Sequence, residues 1–140
     1  MKKYKLMLIL SVALLHAGCA STSIESTSEP KKKPTQHLKI ADVTSMQAAK
    51  SIFINKTAEL NSKTKLDVVE LQEIHIITYT LEKSVAYFAE HLTGERQKLA
   101  KQIAIIVEDI HINSEDNQKA STRKHLDTYT MMAEKFISGF

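Results

Sequence analysis

Proline and glycine are nearly missing from the last hundred residues of the chain. Between Ala41 and Ser138 there is no proline, and the one glycine is Gly94. Chains rich in β-structure need more turn residues than this over such a length. Apolar residues in this segment also recur at steps of three and four, as on one face of a helix. The sequence therefore predicts an all-α fold, an antiparallel helical bundle over residues 41–140.

Capping and turn residues predict where the two outer helices begin and end. Residues 44–47 (TSMQ) have the spacing of a capping box, which predicts a first helix with Thr44 as its N-cap and an end near Asn61. Residues 113–117 (NSEDN) predict a turn, and the last helix is expected from about Gln118 to Ile137. Each helix has an apolar face, formed by Met46, Ala49, Phe53 and Leu60 in the first and by Leu126, Tyr129, Ala133 and Ile137 in the last.

The segment between these helices carries the longest apolar stripe. The stripe consists of Leu71, Ile74, Thr78, Leu81, Val85, Phe88, Leu92, Leu99, Ile103, Ile106 and Ile110. Leu92 and Leu99 are one heptad apart, so the phase is kept across Gly94, whereas a turn would be free to reset it. The pattern favours three helices with a long central helix of about 45 residues, roughly 68 Å long at 1.5 Å per residue.

The alternative is a four-helix bundle with a turn at Gly94. The motif His75-x-x-Thr78-Tyr79-Thr80 recurs 50 residues later as His125-x-x-Thr128-Tyr129-Thr130, as a duplicated helical hairpin would require. The two folds differ in their consequence for assembly. A long central helix covered by two shorter ones leaves apolar surface open for self-association, whereas a four-helix bundle closes its own core.

The N-terminus has the parts of an export signal in order. A basic start (Met1–Lys5) precedes the apolar run Leu6–Leu15, which is too short for a membrane span of about 20 residues. His16-Ala17-Gly18-Cys19 follows and resembles the lipobox of bacterial lipoproteins. The resemblance implies a signal peptide over residues 1–18, cleavage before Cys19, and lipid attachment at Cys19 through acyl chains such as palmitate. The alternative is an ordinary secretory signal that is cleaved nearby.

This resemblance also implies a location. Two or three acyl chains on Cys19 would anchor the protein stably to membrane lipid. Ala20, rather than an aspartate, follows the cysteine, which favours the outer membrane over the inner one. We therefore expect a lipid-anchored, periplasm-facing protein of the bacterial cell envelope.

Residues 19–40 are predicted to be a disordered tether. They are rich in Ser, Thr, Pro and charge and have little apolar surface to bury. About twenty flexible residues have a root-mean-square reach of roughly 25 Å.

Charge argues against nucleic-acid binding. Removing Lys2, Lys3 and Lys5 with the signal peptide leaves 16 basic and 16 acidic residues, so the mature chain is formally neutral. Nucleic-acid binding depends on an excess of basic side chains that neutralise phosphates. The single cysteine, Cys19, excludes an intrachain disulfide.

A second resemblance concerns the helical part. Glu73-Ile74-His75 with Thr78-Tyr79-Thr80-Leu81-Glu82 resembles the E-I-H-x-x-T-Y-T-L-E signature of an uncharacterised family of short exported helical bacterial proteins. The resemblance implies a helical fold and an envelope location, and it implies no activity.

No catalytic motif stands out, and no catalytic, cofactor-binding or metal-binding residue is predicted. The chain has no G-x-S-x-G, phosphate loop, H-E-x-x-H or C-x-x-C-H haem motif. No two histidines share a helix at a spacing of three or four, as a helical ligand pair would. Four acidic residues on one predicted helix of the middle segment are read as solvated charges, namely Glu70, Glu73, Glu82 and Glu90.

Two functions remain open from the sequence. The leading expectation is a non-enzymatic envelope lipoprotein whose bundle binds an unknown envelope protein or a second copy of itself. The alternative is a periplasmic bundle that binds a small ligand or metal through His111 and His125, which flank the last turn, or through His75.

Overall fold

Four α-helices occupy residues 38–140, the part of the chain that the computed structural model describes. They are α1 (Met46–Asn61), α2 (Val68–His91), α3 (Gly94–Glu115) and α4 (Lys119–Ile137), and no strand occurs among these residues. The all-helical prediction is therefore confirmed for this part of the chain. The predicted signal peptide, Cys19 and all of the predicted tether before Leu38 lie outside the described residues.

The expected long central helix is replaced by two helices. The chain leaves helical geometry at Leu92 and Thr93, which are both extended, and α3 begins at Gly94 with φ +62°. An L-residue pays a steric cost for a positive φ because its Cβ approaches the carbonyl oxygen, whereas glycine does not. Gly94 thus permits a tight turn between α2 and α3, and the four-helix alternative fits the structure.

Preserved heptad phase did not indicate a continuous helix here. Leu92 and Leu99 lie on either side of the turn, and both pack as partly buried residues against the same core. Two antiparallel helices that face one core both carry apolar stripes, and a short turn between them need not change the spacing between those stripes. The stripe itself was read correctly, since Ile74, Val85 and Ile103 are fully buried.

The helix ends lie within three residues of the predicted ones. Ser45, not Thr44, is the N-cap of α1, and its Oγ accepts a hydrogen bond from the Ala48 N–H at 3.1 Å. The predicted turn at residues 113–117 is also shorter, because α3 continues to Glu115. Asn117, with φ +56°, then ends α3 in a Schellman arrangement, in which the Gln118 N–H donates to the Asn113 carbonyl at 2.8 Å.

The core lies between all four helices. Consecutive helices pack against each other, most extensively α2 against α3, and α1 also contacts α4. Phe53 of α1 has edge-on ring contacts with Phe88 and Phe136, at centroid distances of 5.8 and 5.4 Å. These aromatic contacts join α1, α2 and α4, so the bundle closes its own apolar interior.

None of the helices within residues 38–140 combines the length and the apolar character that a membrane crossing requires.

Replacing Gly94 with alanine distinguishes the two folds by the sign of its effect. In the four-helix structure we expect Gly94→Ala to lower the free energy of unfolding by about 1–2 kcal/mol, the cost of a left-handed backbone for an L-residue. No heavy atom lies within 4 Å of a Cβ built at this position, so the cost is one of backbone conformation. Thermal and urea denaturation followed by circular dichroism measures it.

The matched control is Gly94→Asn, because asparagine tolerates the left-handed region better than alanine does. Gly94→Asn should lower the free energy of unfolding less than Gly94→Ala does. A continuous helix would instead gain about 1 kcal/mol from alanine, so a stabilised Gly94→Ala variant would contradict the turn.

Candidate functional site

Three rings from α2 and α3 meet in the interface between these helices. The His75 ring lies 4.5 Å from the His111 ring and 5.0 Å from the Tyr79 ring, centroid to centroid. Tyr79 and His111 are in turn 4.7 Å apart in an edge-on arrangement. Each histidine is 5% exposed. Two imidazoles thus face each other in the bundle, away from most solvent.

A carboxylate completes the group. Glu115 follows His111 by four residues on α3, so the two side chains lie on the same face of that helix. His75, His111 and Glu115 each offer one ligand atom, and these three atoms lie within 4.8 Å of one another. Glu115 is partly exposed, whereas the two histidines are buried. We call His75, His111 and Glu115 the His–Glu cluster.

Side chains of α2 hold the ring of His111 from one side. His111 Nδ1 lies 2.9 Å from Thr78 Oγ1 and 2.9 Å from Glu82 Oε1. Thr78 Oγ1 donates its own proton to the His75 carbonyl at 2.7 Å, so it accepts from His111. Nδ1 of His111 therefore carries a proton, which makes Nε2 the acceptor nitrogen of the neutral ring.

Glu82 stands close to His111 but is not aligned with its N–H bond. Its Oε1 is buried and has no well-aligned hydrogen bond among residues 38–140, despite the 2.9 Å separation from His111 Nδ1. The N–H bond points towards Thr78, and the carboxylate acts on the ring through charge and proximity. Glu82 was predicted to be a solvated charge, and this is wrong for Oε1, because α3 covers that side of α2.

One nitrogen of His75 has no partner in the described part of the chain. The Tyr79 hydroxyl lies 3.3 Å from His75 Nε2, one helical turn away. Nδ1 of His75 is buried and makes no hydrogen bond within residues 38–140. Within residues 38–140, the buried side-chain atoms without a hydrogen bond are His75 Nδ1 and Glu82 Oε1, so both belong to this site or adjoin it. An unmet buried polar atom costs about 1–3 kcal/mol.

The pKa values of His75 and His111 are shifted in opposite directions. Burial lowers the pKa of His75, and the neighbouring His111 lowers it further, against the opposing effects of Glu115, the His111 backbone and Glu82. The contact with Glu82 raises the pKa of His111, although burial alone would lower it. The pair therefore takes its first proton on His111 and leaves His75 neutral.

The structure does not bring together the pair of histidines suggested by the sequence. His111 meets His75 across α2 and α3, whereas Nδ1 of His125 lies 3.6 Å from Asp109 Oδ2. His91 stacks on Tyr87 near the end of α2. Of the histidines named in that alternative, His75 and His111 lie together, and His125 lies beside Asp109 instead.

Sequence analysis did not pair Glu115 with His111 as metal ligands, for two reasons. His111-x-x-x-Glu115 has the four-residue spacing of a helical ligand pair, but only histidine pairs were considered. Glu115 had also been assigned to a turn, where the spacing has no meaning. The facing position of His75 depends on how α2 packs on α3, and no local pattern reports it.

Residues 38–140 form an all-helical bundle with two buried histidines and a carboxylate gathered between its second and third helices. A family model matches residues 1–138, and the chain belongs to that family of unknown function, DUF6746. Membership of an uncharacterised family agrees with the second resemblance seen in the sequence. No curated protein and no solved structure is significantly similar to the chain.

The opposite pKa shifts of His75 and His111 are measurable in the metal-free protein. We expect the His111 ring to titrate above the ordinary midpoint of about 6.5 and the His75 ring below it. Between pH 6.5 and the raised pKa, His111 is protonated in the folded chain but not in the unfolded one. Two-dimensional NMR of ¹⁵N-labelled imidazoles across pH 4–9 resolves both rings. Equal midpoints for His75 and His111 would contradict the geometry described here.

Proposed function

We propose that this protein is an envelope lipoprotein whose helical bundle binds a divalent transition-metal ion at the His–Glu cluster. The observation that carries the proposal is the approach of three ligand atoms from two helices to within 4.8 Å of one another. The non-enzymatic character and the envelope location expected from the sequence are kept as parts of this proposal.

The ligand set favours particular metals. Two imidazoles and one carboxylate suit Zn²⁺, Cu²⁺, Ni²⁺ or Co²⁺, whereas Mg²⁺ and Ca²⁺ prefer oxygen ligands. A tetrahedral Zn²⁺ ion with bonds of about 2.1 Å places its ligand atoms about 3.4 Å apart. The 4.8 Å outer limit of the cluster thus requires a contraction of at most about 1.4 Å. Glu115 is the last residue of α3 and partly exposed, so its side chain is the one with room to move.

The hydrogen bonds distinguish the two nitrogens of each histidine. Nδ1 of His111 contacts Thr78, so Nε2 is the acceptor nitrogen of its neutral ring. His75 is arranged the other way, because Tyr79 contacts Nε2 and leaves the buried Nδ1 without a hydrogen bond in residues 38–140. A metal ion bonded to His75 Nδ1 would supply the partner that this atom lacks. Each histidine also keeps a partner on its other nitrogen, as metal-binding histidines generally do.

A purely structural role explains the cluster less well. Two facing imidazoles in a helix interface cost desolvation, and apolar side chains of similar size would fill the same space without that cost. The core is already closed by apolar residues, including Phe53, Leu81 and Ile103, which are fully buried. Stability therefore gives no reason for placing these polar groups between α2 and α3.

The lipid anchor is the second part of the proposal. It rests on the lipobox-like residues before Cys19 and on the short apolar run ahead of them. A flexible tether of about twenty residues would place the bundle at a root-mean-square distance of roughly 25 Å from its anchor. A metal-binding bundle in that position would meet ions in the periplasm.

Binding of a partner protein is the remaining candidate, and a different observation favours it. Large apolar side chains are exposed on α2 and α3, at Val68, Val69, Ile76, Ile105 and Ile112. The argument for self-association, however, came from a long central helix with an open stripe, and four helices that share one core leave no such stripe. Partner binding stays a prediction and is compatible with metal binding.

Metal binding should stabilise the folded chain. With the full chain purified in detergent, Zn²⁺ at a hundred times its dissociation constant should add about 2.7 kcal/mol of stability. For a domain of about 100 residues this raises the melting temperature by roughly 10–20 °C. Differential scanning calorimetry measures the shift, and isothermal titration gives the stoichiometry, which we expect to be one ion per chain.

Matched variants assign that ion to the cluster. His75→Gln and His111→Gln should remove the shift, whereas His91→Gln and His125→Gln, which change histidines outside the cluster, should keep it. Helical circular dichroism of each metal-free variant checks folding. The proposal is wrong if Zn²⁺, Cu²⁺, Ni²⁺ and Co²⁺ all leave the melting temperature of the unmodified chain unchanged.

The anchor has an independent test. Mass spectrometry of the protein isolated from its own envelopes should show an N-terminal Cys19 that carries acyl chains. Cys19→Ser should move the protein from the membrane fraction to the soluble fraction, and Ser21→Ala, a change two residues further on, should not. An unmodified mature N-terminus would rule out the lipoprotein assignment without affecting the metal site.

A further inference from the structure

We infer that a cleft between the start of α3 and the end of α4 binds a small amphiphilic anion, a molecule with an oxyanion head and a short apolar body. The cleft has a volume of about 410 Å³, which lies in the range of small-ligand sites. We call it the α3–α4 cleft, and its walls include Glu95, Arg96, Lys98, Leu99, Lys135 and Phe136. This site is separate from the His–Glu cluster and does not depend on metal binding there.

The α3–α4 cleft has an excess of positive side chains. Glu95 is the one acidic residue among those that line it within residues 38–140, and its carboxylate pairs with Lys98 at 2.6 Å. Arg96 and Lys135 remain, and neither has a carboxylate oxygen within 4.0 Å in the described part of the chain. Two positive side chains that line one cleft without a protein counter-charge favour a negatively charged ligand.

The end of α4 holds the Arg96 side chain in place. Its guanidinium donates to the carbonyl oxygens of Phe136 and Gly139, and its Cζ lies 5.0 and 5.3 Å from the ring centroids of Phe136 and Phe140. A Cβ at position 139 would collide with this guanidinium, so glycine permits the close approach. A guanidinium has five N–H groups, and these two hydrogen bonds use two of them. Arg96 therefore keeps donors for an oxyanion and loses little side-chain freedom when it binds one.

The rest of the α3–α4 cleft suits an apolar body. Leu99 and Phe136 line it, and Leu99 is only partly buried against the core, so part of its side chain is accessible. Lys98 and Lys135 add the hydrocarbon stems of their side chains. An apolar group attached to the oxyanion would cover this surface, whereas a bare anion such as acetate would leave it in water.

Two other clefts of the bundle lack this combination of size and charge. In the cleft between α1 and α2, of about 210 Å³, Lys56 and Lys63 each pair with a glutamate at 2.6 Å. In the cleft between the end of α1 and α4, of about 220 Å³, Asp127 lines the wall together with Arg123. The α3–α4 cleft is nearly twice as large as either, and its positive charges are not balanced in this way.

The experiment titrates the full chain carrying Cys19→Ser with four probes. Serine lacks the sulfur that would carry the lipid, so this chain needs no detergent, which would compete for the cleft. The probes are octanoate and octyl phosphate, with octanol and acetate as controls that lack the charge and the apolar body respectively. We expect octanoate or octyl phosphate to give saturable ¹H–¹⁵N NMR shifts at Arg96 and Leu99, with one anion per chain. Octanol and acetate should bind at least about tenfold more weakly, because each forgoes one of the two contacts. The stronger of the two anions identifies the head group.

Matched variants assign the binding to this cleft. Lys135→Gln should weaken the binding of the anion about three- to fivefold, the size of one partly solvated charge contact. Lys101→Gln removes the same charge from an exposed position of α3 outside the cleft and should leave the affinity unchanged. Arg96→Gln should weaken binding about tenfold or more, because it removes a charged hydrogen-bond donor. Arg96 also holds the end of α4, so circular dichroism checks the folding of that variant, and Lys135→Gln tests the site without it.

Three results would overturn the inference. The first is that neither octanoate nor octyl phosphate gives saturable shifts in the α3–α4 cleft. The second is that octanol binds as tightly as the anions, because the cleft would then recognise apolar surface alone. The third is an equal effect of Lys135→Gln and Lys101→Gln, which would assign the binding to net charge rather than to this site. None of these results bears on metal binding at the His–Glu cluster, so the two proposals fail separately.

Discussion

The left-handed backbone at Gly94 is the constraint on which the arrangement of this bundle depends. With φ +62° at Gly94, the chain reverses after α2 and lays α3 back along it. A continuous helix through this point would place His75 and His111 far apart on one rod, about 1.5 Å of axial distance for each intervening residue. The reversal instead puts their rings 4.5 Å apart. The site therefore exists only because the turn does.

The site and the core draw on different faces of the same two helices. Ile74, Leu81 and Val85 of α2 face the closed interior, and His75, Tyr79 and Glu82 follow at helical spacing along the flank that meets α3. Four residues of the E-I-H-x-x-T-Y-T-L-E pattern, His75, Thr78, Tyr79 and Glu82, thus lie in or beside the cluster. This segregation lets the bundle keep an apolar core while holding polar groups in fixed positions.

Much of the fold could be predicted from local pattern. The ends of α1 and α4 were predicted to within one residue, because capping residues and the three-four spacing of Phe53, Leu126 and Ala133 are local properties. The break at Gly94 was predicted only as an alternative. Heptad phase is insensitive to a short turn, and glycine occurs both in turns and, at modest cost, within helices. The extension of α3 to Glu115 was missed because residues 113–117 are all polar or acidic.

Local sequence features set the amphipathic helices of this chain and most of their ends, since periodicity, caps and the scarcity of proline and glycine act over a few residues. Tertiary structure alone decided that His111 meets Thr78, 33 residues away, and that His75 and Glu115 join it. Those encounters depend on the direction of the Gly94 turn and on the packing of α2 against α3. Both are set by the summed burial of the whole core, which no single motif in the sequence records.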